Sequence, residues 1–449
     1  MAITEILNQY ALEGIELITH FFSWYSVIGR KILDLLYIVF DNAFNALLLI
    51  AFLVSFLYLI MSLYALLKKH GHENEEKNDG ELPFVTVQIP TFNELAAIRC
   101  AKSCLSFEYP KDKYEIIIGD DSNKPEISEK LQEFANEHDL VKVIKRKNNE
   151  GYKPGNLNNM LEHSKGSILV IFDSDFMPQE DFLKRIVQPF MKDDKTAGVQ
   201  ARWAFVNASQ NMITALGTTI VSIFHHVTIP FMHKSQKIAF LCGSAEAVRK
   251  EVLLKLGGWE NGNFTEDIEF SLRLIKNGYR IEYLDDLECE SEVPYTIRDL
   301  YRQQMRWAYG VISSWKKHFI GINKSKHINL LGKFYVQGIL CSGYLLSLLL
   351  AGLFITGTLS LITHAPEPIK WGEFTFKLFR NIALTSGLLF ASCIALMKAN
   401  KSKLTLPMIA SSFSYGLVVT YYVNVGIFKA VAKTPMEWYM LNKHGNKID

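Results

Sequence analysis

The stretch Ile168–Pro178, ILVIFDSDFMP, is an apolar run that ends in two aspartates. Its five consecutive Ile, Leu, Val and Phe residues indicate a strand buried on both faces, and such strands belong to sheets covered by helices. Asp173 and Asp175 follow at the carboxyl end. Because side chains two apart on an extended segment point the same way, both carboxylates can face one hard cation, Mg²⁺ or Mn²⁺. A strand that leaves the core with two solvated acids is the alternative that this stretch leaves open.

Two earlier strands also end in polar groups. Val85–Ile89 alternates as a strand and is followed by Thr91 and Glu94, and the apolar strand Tyr114–Ile118 is followed by Asp121. Right-handed crossovers place the carboxyl ends of such strands on one edge, where open α/β sheets bind ligands. The sequence contains neither G-x-G-x-x-G nor G-x-x-x-x-G-K-[ST] here, which counts against a dehydrogenase or a P-loop enzyme.

A basic and amide-rich run, KRKNNEGYKPGNLNNML, precedes the central strand. Its cationic residues Arg146, Lys147 and Lys153 could neutralise phosphate charge. A solvated surface loop is the alternative for this run in isolation. Beyond the central strand, GVQARWAFVN carries Gln200, Arg202 and Trp203, a mixed polar and aromatic set that suits a sugar-facing wall better than a core strand.

The segment FTEDIEFSLRLIKNG predicts a helix that begins at a Thr-Glu-Asp triplet. Thr265 is a favourable N-cap residue, and Glu266 and Asp267 fall in the first turn, where acids compensate the helix dipole. A cap with two dipole-compensating acids would therefore explain the triplet if it stood alone.

The segment DLYRQQMRWAYGVISSWKKHF predicts an amphipathic helix just before an apolar region. Gln303 lies three and four residues from Arg306 and Trp307, so the three side chains share one face. Trp and Arg also occur in helices that lie at the lipid headgroups. Glutamine has no such anchoring role, which favours a binding surface.

Apolar residues are concentrated at both ends of the chain. Residues 43–67 give about 25 positions without a charge, enough to cross a bilayer, and Lys68 and Lys69 predict a cytoplasmic end. Residues 1–40 are interrupted by charges and are expected to form helices lying in the membrane interface.

Two further spans are expected at residues 334–361 and 378–397. Residues 404–431 are also apolar, but basic residues flank them on both sides, which favours a hairpin or a slanting interfacial helix and leaves a crossing open.

Composition excludes some partners and sites. The formal net charge of +2 over 449 residues argues against a nucleic-acid partner. The six cysteines show no paired metal spacing, and Cys100 and Cys104 are expected to pack in the core. A reducing cytoplasm around the middle region predicts no disulfides.

In this order, PTFNE, GDDS, GYKPGNLN, DSD, CGSA, TED and QQMRW resemble the family 2 inverting glycosyltransferases. The resemblance is to the processive membrane branch of cellulose synthases, hyaluronan synthases and cellulose-synthase-like mannan and glucomannan synthases, and it covers roughly residues 83–320. VQARWAFVN is similar to glucomannan-type members and FLCGSA to bacterial cellulose synthases. Phe92 and Pro154 depart from a usual tyrosine and alanine, and the absence of a long regulatory extension puts cyclic-nucleotide control in doubt.

The resemblance implies an α/β fold of the GT-A type, with a mostly parallel sheet and with transmembrane and interfacial helices at both ends. It implies four regions: 1–70 with interfacial helices and an anchor, 83–320 as the cytoplasmic transferase domain, 329–432 with transmembrane helices, and 433–449 as a cytoplasmic tail. The protein is expected in the membrane, the plasma membrane if the source is bacterial.

The resemblance also implies residue roles. Asp267 would be the general base, and Asp173 and Asp175 would hold Mg²⁺ or Mn²⁺. Donor-binding residues would be Thr91, Glu94, Asp121, Lys153, Asp173, Gln303 and Arg306, and acceptor-binding residues would be Trp307, Cys242 and Gly243. Asp267, at a helix N-terminus, is expected to stay ionised.

Three functions remain at this point. One is a processive synthase that moves a hexose from a UDP or GDP donor to a growing β-linked polysaccharide. The second is a non-processive transferase that adds one sugar to a membrane lipid. The third, a non-enzymatic transporter or scaffold, would not need the ordered acidic motifs.

Overall fold

The structure, a computed structural model, describes residues 2–67, 80–364, 370–439 and 441. The basic residues Lys68, Lys69, Lys443 and Lys447, on which part of the predicted orientation rests, lie outside those residues. So does most of the predicted tail 433–449.

Seven strands of the described chain form one sheet. They are β1 (Val85–Thr91), β2 (Tyr114–Asp120), β3 (Val141–Lys145), β4 (Ile168–Ile171), β5 (Thr196–Phe205), β6 (Glu246–Arg249) and β7 (Arg280–Ser291). Their order is β3-β2-β1-β4-β6-β5-β7, and β6 alone pairs antiparallel with its neighbours. The predicted mostly parallel α/β sheet is therefore confirmed.

The helices occupy most of the remaining described residues. They are α1 (Ala2–Leu67), α2 (Ala96–Leu105), α3 (Pro125–Asn136), α4 (Tyr152–His163), α5 (Phe182–Ile186), α6 (Gln188–Lys192), α7 (Met212–Ile223), α8 (Ile229–Gln236), α9 (Lys250–Lys255), α10 (Glu266–Lys276), α11 (Ile297–Lys324), α12 (Leu330–Phe334), α13 (Ser342–Thr363), α14 (Trp371–Thr385), α15 (Gly387–Lys398), α16 (Thr405–Ser412) and α17 (Tyr415–Ala432). π-Helical turns at Phe224–Thr228 and Tyr335–Ile339 follow α7 and α12, and a 3₁₀ turn at Ser402–Leu404 precedes α16.

The central strands are buried on both faces, as their apolar runs predicted. All seven residues of β2 and all four of β4 are buried, which is the usual environment of parallel strands covered by helices. Cys100 and Cys104 of α2 lie fully buried in the same core, which confirms their predicted packing role.

The segment Met212–Gln236 is an element that the sequence interpretation did not name. It is long and apolar enough to cross a membrane, yet most of it is buried inside the protein. Asn211 caps its start by accepting hydrogen bonds from the backbone amides of Ile213 and Thr214. Its burial makes it a part of the domain core, which length and hydropathy alone do not reveal.

The apolar end segments differ in detail from the predicted ones. Residues 2–67 form one continuous helix, α1, where separate interfacial helices were expected before residue 43. The predicted span 334–361 is α13, which begins only at Ser342, and the predicted span 378–397 is broken at Ser386 between α14 and α15. Residues 404–431 divide into α16 and α17.

Several described helices are candidate membrane spans: four by length and composition, or five if α14 and α15 form one broken span. In the unit formed by Met1–Phe56 and Leu346–Ser386, large apolar side chains are exposed, among them Trp24, Phe354 and Trp371. Such a surface suits lipid better than water. The second unit, Leu57–Leu345 with Gly387–Asp449, contains the sheet and the site described next.

Candidate active site

A cavity of about 530 Å³ lies at the carboxyl edge of the sheet. The site residues predicted from the sequence all line it: Thr91, Glu94, Asp121, Lys153, Asp173, Asp175, Cys242, Gly243, Asp267, Gln303, Arg306 and Trp307. Parallel pairing explains part of this convergence, since Thr91 at the end of β1 lies beside Asp120 at the end of β2. Loops after β1, β2 and β4 supply Glu94, Asp121, Asp173 and Asp175, and the other residues reach the cavity from α4, α10, α11 and the loop before β6.

Lys153, in the first turn of α4, lies at the centre of the charged groups. Its Nζ is 2.7 Å from Asp173 Oδ1 and 3.1 Å from Glu266 Oε1, and it donates to the carbonyl oxygen of Gly243 at 2.6 Å. Burial acts to lower the pKa of Lys153, but Asp173 and Glu266 outweigh it and hold the pKa well above its ordinary value. The lysine is therefore a permanent cation in this cavity.

Asp173 and Asp175 follow β4, as predicted. The backbone amide of Asp173 donates to Ser244 Oγ at 2.9 Å, and Asp175 accepts a hydrogen bond from Ser291 Oγ at 3.0 Å. The side chain of Asp173 is 34% exposed to the cavity. Ser174, between them, donates to the Glu94 carboxylate, and this bond ties the loop after β4 to the loop after β1.

No group of three or more His, Cys, Asp or Glu side chains is placed to hold a metal ion among the residues that the structure describes. Asp173 and Asp175 nevertheless fit Mg²⁺ or Mn²⁺, because such ions are usually held by one or two carboxylates together with substrate phosphates and water. Glu266 and Asp267 add two further acids to the cavity lining, where Lys153 and Arg306 are cations. The donor set is thus one of hard oxygens in an acidic cavity.

Asp121, predicted to bind the donor, is paired with Arg146. The Nε and Nη2 atoms of Arg146 each lie 2.6 Å from one Asp121 oxygen, a bidentate pair. Arg146 also donates to the carbonyl oxygens of Glu150 and Tyr152. Arg146 was expected to neutralise phosphate, but its donors are instead used in holding the loop before α4.

Asp267 lies in the first turn of α10 and is 9% exposed. Burial, together with the neighbouring Glu266, raises the pKa of Asp267 to about 7, although Lys153 and two backbone N–H groups act to lower it. Desolvation thus opposes the helix terminus, which was expected to keep Asp267 ionised. A carboxyl group with a pKa near neutrality is well matched to a general base.

Thr265 does not cap α10 with its side chain, in contrast to the prediction. Its Oγ1 is buried without a hydrogen-bond partner. The side chain instead packs against Gly310 of α11, where a Cβ atom would come within 2.5 Å of the Thr265 methyl carbon. Thr265 therefore packs α10 against α11, and the lack of a side chain at Gly310 permits the close approach.

Gln303, Arg306 and Trp307 share the cavity-facing side of α11, as their spacing predicted. Arg306 donates to the carbonyl oxygen of Phe264 at 3.3 Å. Trp307 packs against an apolar cluster that includes Phe205. α11 in turn packs against α17, since a Cβ at Gly426 would come within 2.4 Å of the Met305 carbonyl oxygen.

Cys242 and Gly243 lie in the loop before β6 and are positioned by two buried side chains. Glu246 accepts from both backbone amides, at 3.0 and 2.7 Å, and Gln200 accepts from the Cys242 amide at 2.7 Å. Gly243 has a φ of +86°, and a Cβ there would lie 3.3 Å from an Asp267 oxygen. Burial and Asp267 raise the pKa of Glu246 to about 8.

Of the three residues Gln200, Arg202 and Trp203, which were predicted to form a sugar-facing wall on β5, only Trp203 lines the cavity. Trp203 lines the cavity and donates from Nε1 to the Ser244 carbonyl at 2.9 Å. Gln200 is fully buried beneath the loop, and Arg202 pairs with Glu288 at 2.6 Å. Gln200 and Trp203 both donate to the Ser244 carbonyl oxygen, and the pairing of β5 with β7 is irregular between Ala201 and Arg202.

The C-terminal segment contributes residues that the sequence interpretation missed. Glu437, Trp438, Tyr439 and Leu441 line the cavity, although this region was predicted to be only a tail. The Trp438 ring stacks on Tyr152 at 5.6 Å between centroids and on Phe264 at 6.0 Å, and the Arg306 guanidinium lies 4.7 Å from it. Tyr439 Oη donates to Asp299 Oδ1 at 2.9 Å.

A short signal for this contact is present in the sequence. Trp438 and Tyr439 are adjacent aromatic residues just beyond a long apolar helix, and Trp and Tyr rings are common where one surface packs against another. Glu246, which was also missed, has a weaker sequence signature: an acid between two alanines at the start of a buried strand.

The chain resembles known proteins over different lengths. It is 33% identical to a protein described as a probable glucomannan 4-beta-mannosyltransferase of Oryza sativa subsp. japonica, over 59% of this chain and 46% of that one. A glucomannan 4-beta-mannosyltransferase of Arabidopsis thaliana is 32% identical over 59% of this chain and 51% of its own length. The chain thus spans about half the length of these relatives.

A protein described as a probable glycosyltransferase of Bacillus subtilis matches more of the chain, with 26% identity over 82% of this chain and 89% of its own. Among solved structures, a mannosyltransferase of Pyrobaculum calidifontis, in complex with GDP-Man and Mn²⁺, has a TM-score of 0.63 and 18% identity, and covers 88% of this chain and 100% of that one. This likeness supports the predicted GT-A fold.

Residues 83–310, which contain the whole sheet and the cavity residues up to Trp307, match the family described as Glycosyltransferase like family 2. The match covers more than half of the chain and the region in which the acidic motifs converge. The chain belongs to this glycosyltransferase family.

Proposed function

We propose that the protein is a membrane-bound inverting glycosyltransferase that moves a hexose from a nucleoside-diphosphate donor to a growing β-linked polysaccharide. The observation that carries the proposal is the convergence on one cavity of Asp267, the Asp173 and Asp175 pair, and the Gln303, Arg306 and Trp307 face. The relatives described as glucomannan 4-beta-mannosyltransferases favour mannose as the sugar, and the solved mannosyltransferase favours a GDP donor.

The chemistry needs one in-line attack by an acceptor hydroxyl on the anomeric carbon, with the nucleoside diphosphate leaving from the opposite face. No carboxylate nucleophile is required for inversion. Asp267 accepts the hydroxyl proton in the transition state, and its pKa of about 7 makes it a competent acceptor near neutrality. Lys153 and Arg306 stabilise the negative charge that develops on the leaving diphosphate.

Asp173 and Asp175 would hold Mg²⁺ or Mn²⁺. When bound, such an ion offsets the charge of the leaving group as a Lewis acid. Trp307 and Trp203 offer apolar ring faces to an acceptor sugar, and Gln303 offers an amide that can bond its hydroxyl groups. The Cys242–Gly243 loop lies against Asp267 and completes the wall on the acceptor side.

The transferase domain is proposed to face the cytoplasm, with the bilayer around the exposed apolar helices. Positively charged residues near the inner ends of the spans support this orientation. The orientation is tested in sealed vesicles by protease protection and by membrane-impermeant labelling of cysteines introduced in place of Lys124 and Lys250. Labelling of both positions from the non-cytoplasmic side would contradict it.

The proposed function is tested by product size. The full chain in detergent or nanodiscs is incubated with labelled GDP-mannose, UDP-glucose and other nucleotide sugars, and the products are separated by length. A ladder or long polymer that a β-specific endoglycanase degrades is the expected result. A single sugar on a lipid would support the non-processive alternative, for which the small number of candidate spans is the favouring observation. No transfer from any donor would overturn both.

A further inference from the structure

Lys153 forms an ion pair with Asp173, which the proposed function assigns as a metal ligand. Its ammonium group has three N–H donors, and three oxygens lie within bonding distance: Asp173 Oδ1, Glu266 Oε1 and the Gly243 carbonyl oxygen. The side chain of Lys153 is only 15% exposed. The ammonium therefore has its bonds satisfied by protein alone, without a phosphate.

The surroundings of Lys153 are strongly acidic. The carboxyl groups of Asp173, Glu266 and Glu246 raise the pKa of Lys153. Lys153 in turn acts to lower the pKa values of Glu246 and Asp267. Among the residues that the structure describes, Arg306 is the second cation facing these acids, and its contacts are with the Phe264 carbonyl and the Trp438 ring. Within the same residues, Lys153 is the cation in direct contact with Asp173.

We propose that Lys153 competes with the divalent cation for Asp173, an inference that rests on the proposed metal-dependent function. The Lys153 ammonium lies 2.7 Å from Asp173 Oδ1, and the Asp173 side chain is open to the cavity. Two cations at one carboxylate oxygen repel each other, so a free divalent ion binds weakly while Lys153 stays in place. A donor diphosphate offers Lys153 alternative oxygens, so the cation and the donor bind together.

This inference differs from a role of Lys153 in phosphate binding alone. If Lys153 only bound phosphate, its substitution should weaken nucleotide binding and leave cation binding without nucleotide unchanged. If Lys153 competes with the cation, its substitution should strengthen cation binding without nucleotide, because the carboxylates that it neutralised become available. The two roles therefore predict different results in the absence of nucleotide.

The test measures Mn²⁺ binding to the purified full chain without nucleotide, using the electron paramagnetic resonance signal of free Mn²⁺. Lys153→Met is expected to bind Mn²⁺ about 10-fold or more tightly than wild type. Lys153→Gln, which keeps a donor for the Gly243 carbonyl, should show the same direction and serves if the first variant unfolds. Thermal unfolding of each variant reports whether it is folded.

Arg306→Met is the matched control, because it removes one positive charge from the same cavity without breaking a contact to Asp173. Its Mn²⁺ affinity is expected to rise by less than about 3-fold, since its effect acts only through space. Equal gains in Lys153→Met and Arg306→Met would overturn direct competition and leave only a general charge effect.

The inference is overturned if both Lys153 variants bind Mn²⁺ no more tightly than wild type while wild type binds Mn²⁺ in the presence of GDP or UDP. That outcome leaves the proposed transferase intact. If wild type binds Mn²⁺ neither with nor without a nucleoside diphosphate, the inference and the metal-dependent function both fail. Sugar transfer, measured separately, then decides whether a metal-independent transferase remains.

Discussion

The two sides of the cavity are built differently. On the sheet side, Thr91, Asp121 and Asp173 lie at or just beyond the ends of strands, and hydrogen bonds or ion pairs such as the Asp121–Arg146 pair hold the side chains. On the helix side, Arg306 and Trp438 come from α11 and the C-terminal segment and are held largely by ring packing. The carboxylates assigned to the metal therefore lie on the sheet side, whereas the helix side combines aromatic rings with the charged groups of Arg306 and Asp267. We expect metal binding to depend on the sheet side and acceptor chemistry on the helix side.

The largest effect is expected at Asp175. Asp175→Asn should abolish transfer without unfolding the protein, because an amide binds a divalent cation far less strongly than a carboxylate does. Activity is measured with Mg²⁺ and Mn²⁺ and with excess chelator. Asp181→Asn, at an aspartate whose side chain is 41% exposed, is the control and should retain turnover. Full turnover of wild type in excess chelator would contradict the metal role.

Asp267→Asn is expected to lower the transfer rate by roughly 10² to 10⁴, because an amide cannot take the acceptor proton. If Asp267 only compensated the helix dipole, the substitution would change the free energy of unfolding by about 0.3 to 1 kcal/mol and leave turnover nearly intact. Denaturant unfolding beside the rate assay separates the two roles. Wild-type turnover in Asp267→Asn would show that Asp267 has only a structural role.

The pH dependence of transfer follows from the raised pKa of Asp267. With a pKa of about 7, the ionised fraction of Asp267 decreases about tenfold for each pH unit below that value. The kcat/KM for transfer should therefore fall below pH 7 and become constant above it. Because the folded pKa lies above the unfolded one, this group's contribution to stability decreases as pH rises from about 4 to 7. A pH profile of kcat/KM that is flat from pH 5 to 8 would refute the assignment.

Trp307→Ala should raise the acceptor KM by about 10-fold and leave donor binding unchanged, because an aromatic ring face mainly orients a sugar. Trp307→Phe, which retains a ring face, should lie closer to wild type. Acceptor titrations at saturating donor measure the effect. A loss of nucleotide affinity in the alanine variant would show that this part of the helix side also binds the donor.

The smallest effect is expected at Trp438. Trp438→Ala removes the ring that contacts Tyr152, Phe264 and Arg306, so amide hydrogen exchange across residues 434–439 should become about 2- to 5-fold faster. Trp371→Ala, at an exposed tryptophan of α14, should leave that exchange unchanged. Unaltered exchange in Trp438→Ala would mean that the segment is held by other contacts, such as the Tyr439 bond to Asp299.

The same contrast explains what the sequence could predict. Asp173 and Asp121 were predictable because each ends an apolar run whose period defines a buried strand, and parallel strands bring such ends together. Gln303 and Trp307 were predictable because helical spacing puts them on one face. Thr265 was wrongly predicted as a side-chain cap because its contact with Gly310 is a tertiary one. Trp438 was missed for the same reason, because the spacing of residues along the sequence does not predict its tertiary contact with Tyr152.

The most direct test of the two-sided account measures nucleotide-sugar binding and transfer side by side for Asp175→Asn and Asp267→Asn. Binding is followed with Mn²⁺ present, by calorimetry on the full chain in nanodiscs. The account predicts that Asp175→Asn, on the sheet side, loses both donor binding and transfer, whereas Asp267→Asn, on the helix side, keeps donor binding and loses transfer. Equal loss of donor binding in the two variants, or wild-type transfer in Asp267→Asn, would contradict it.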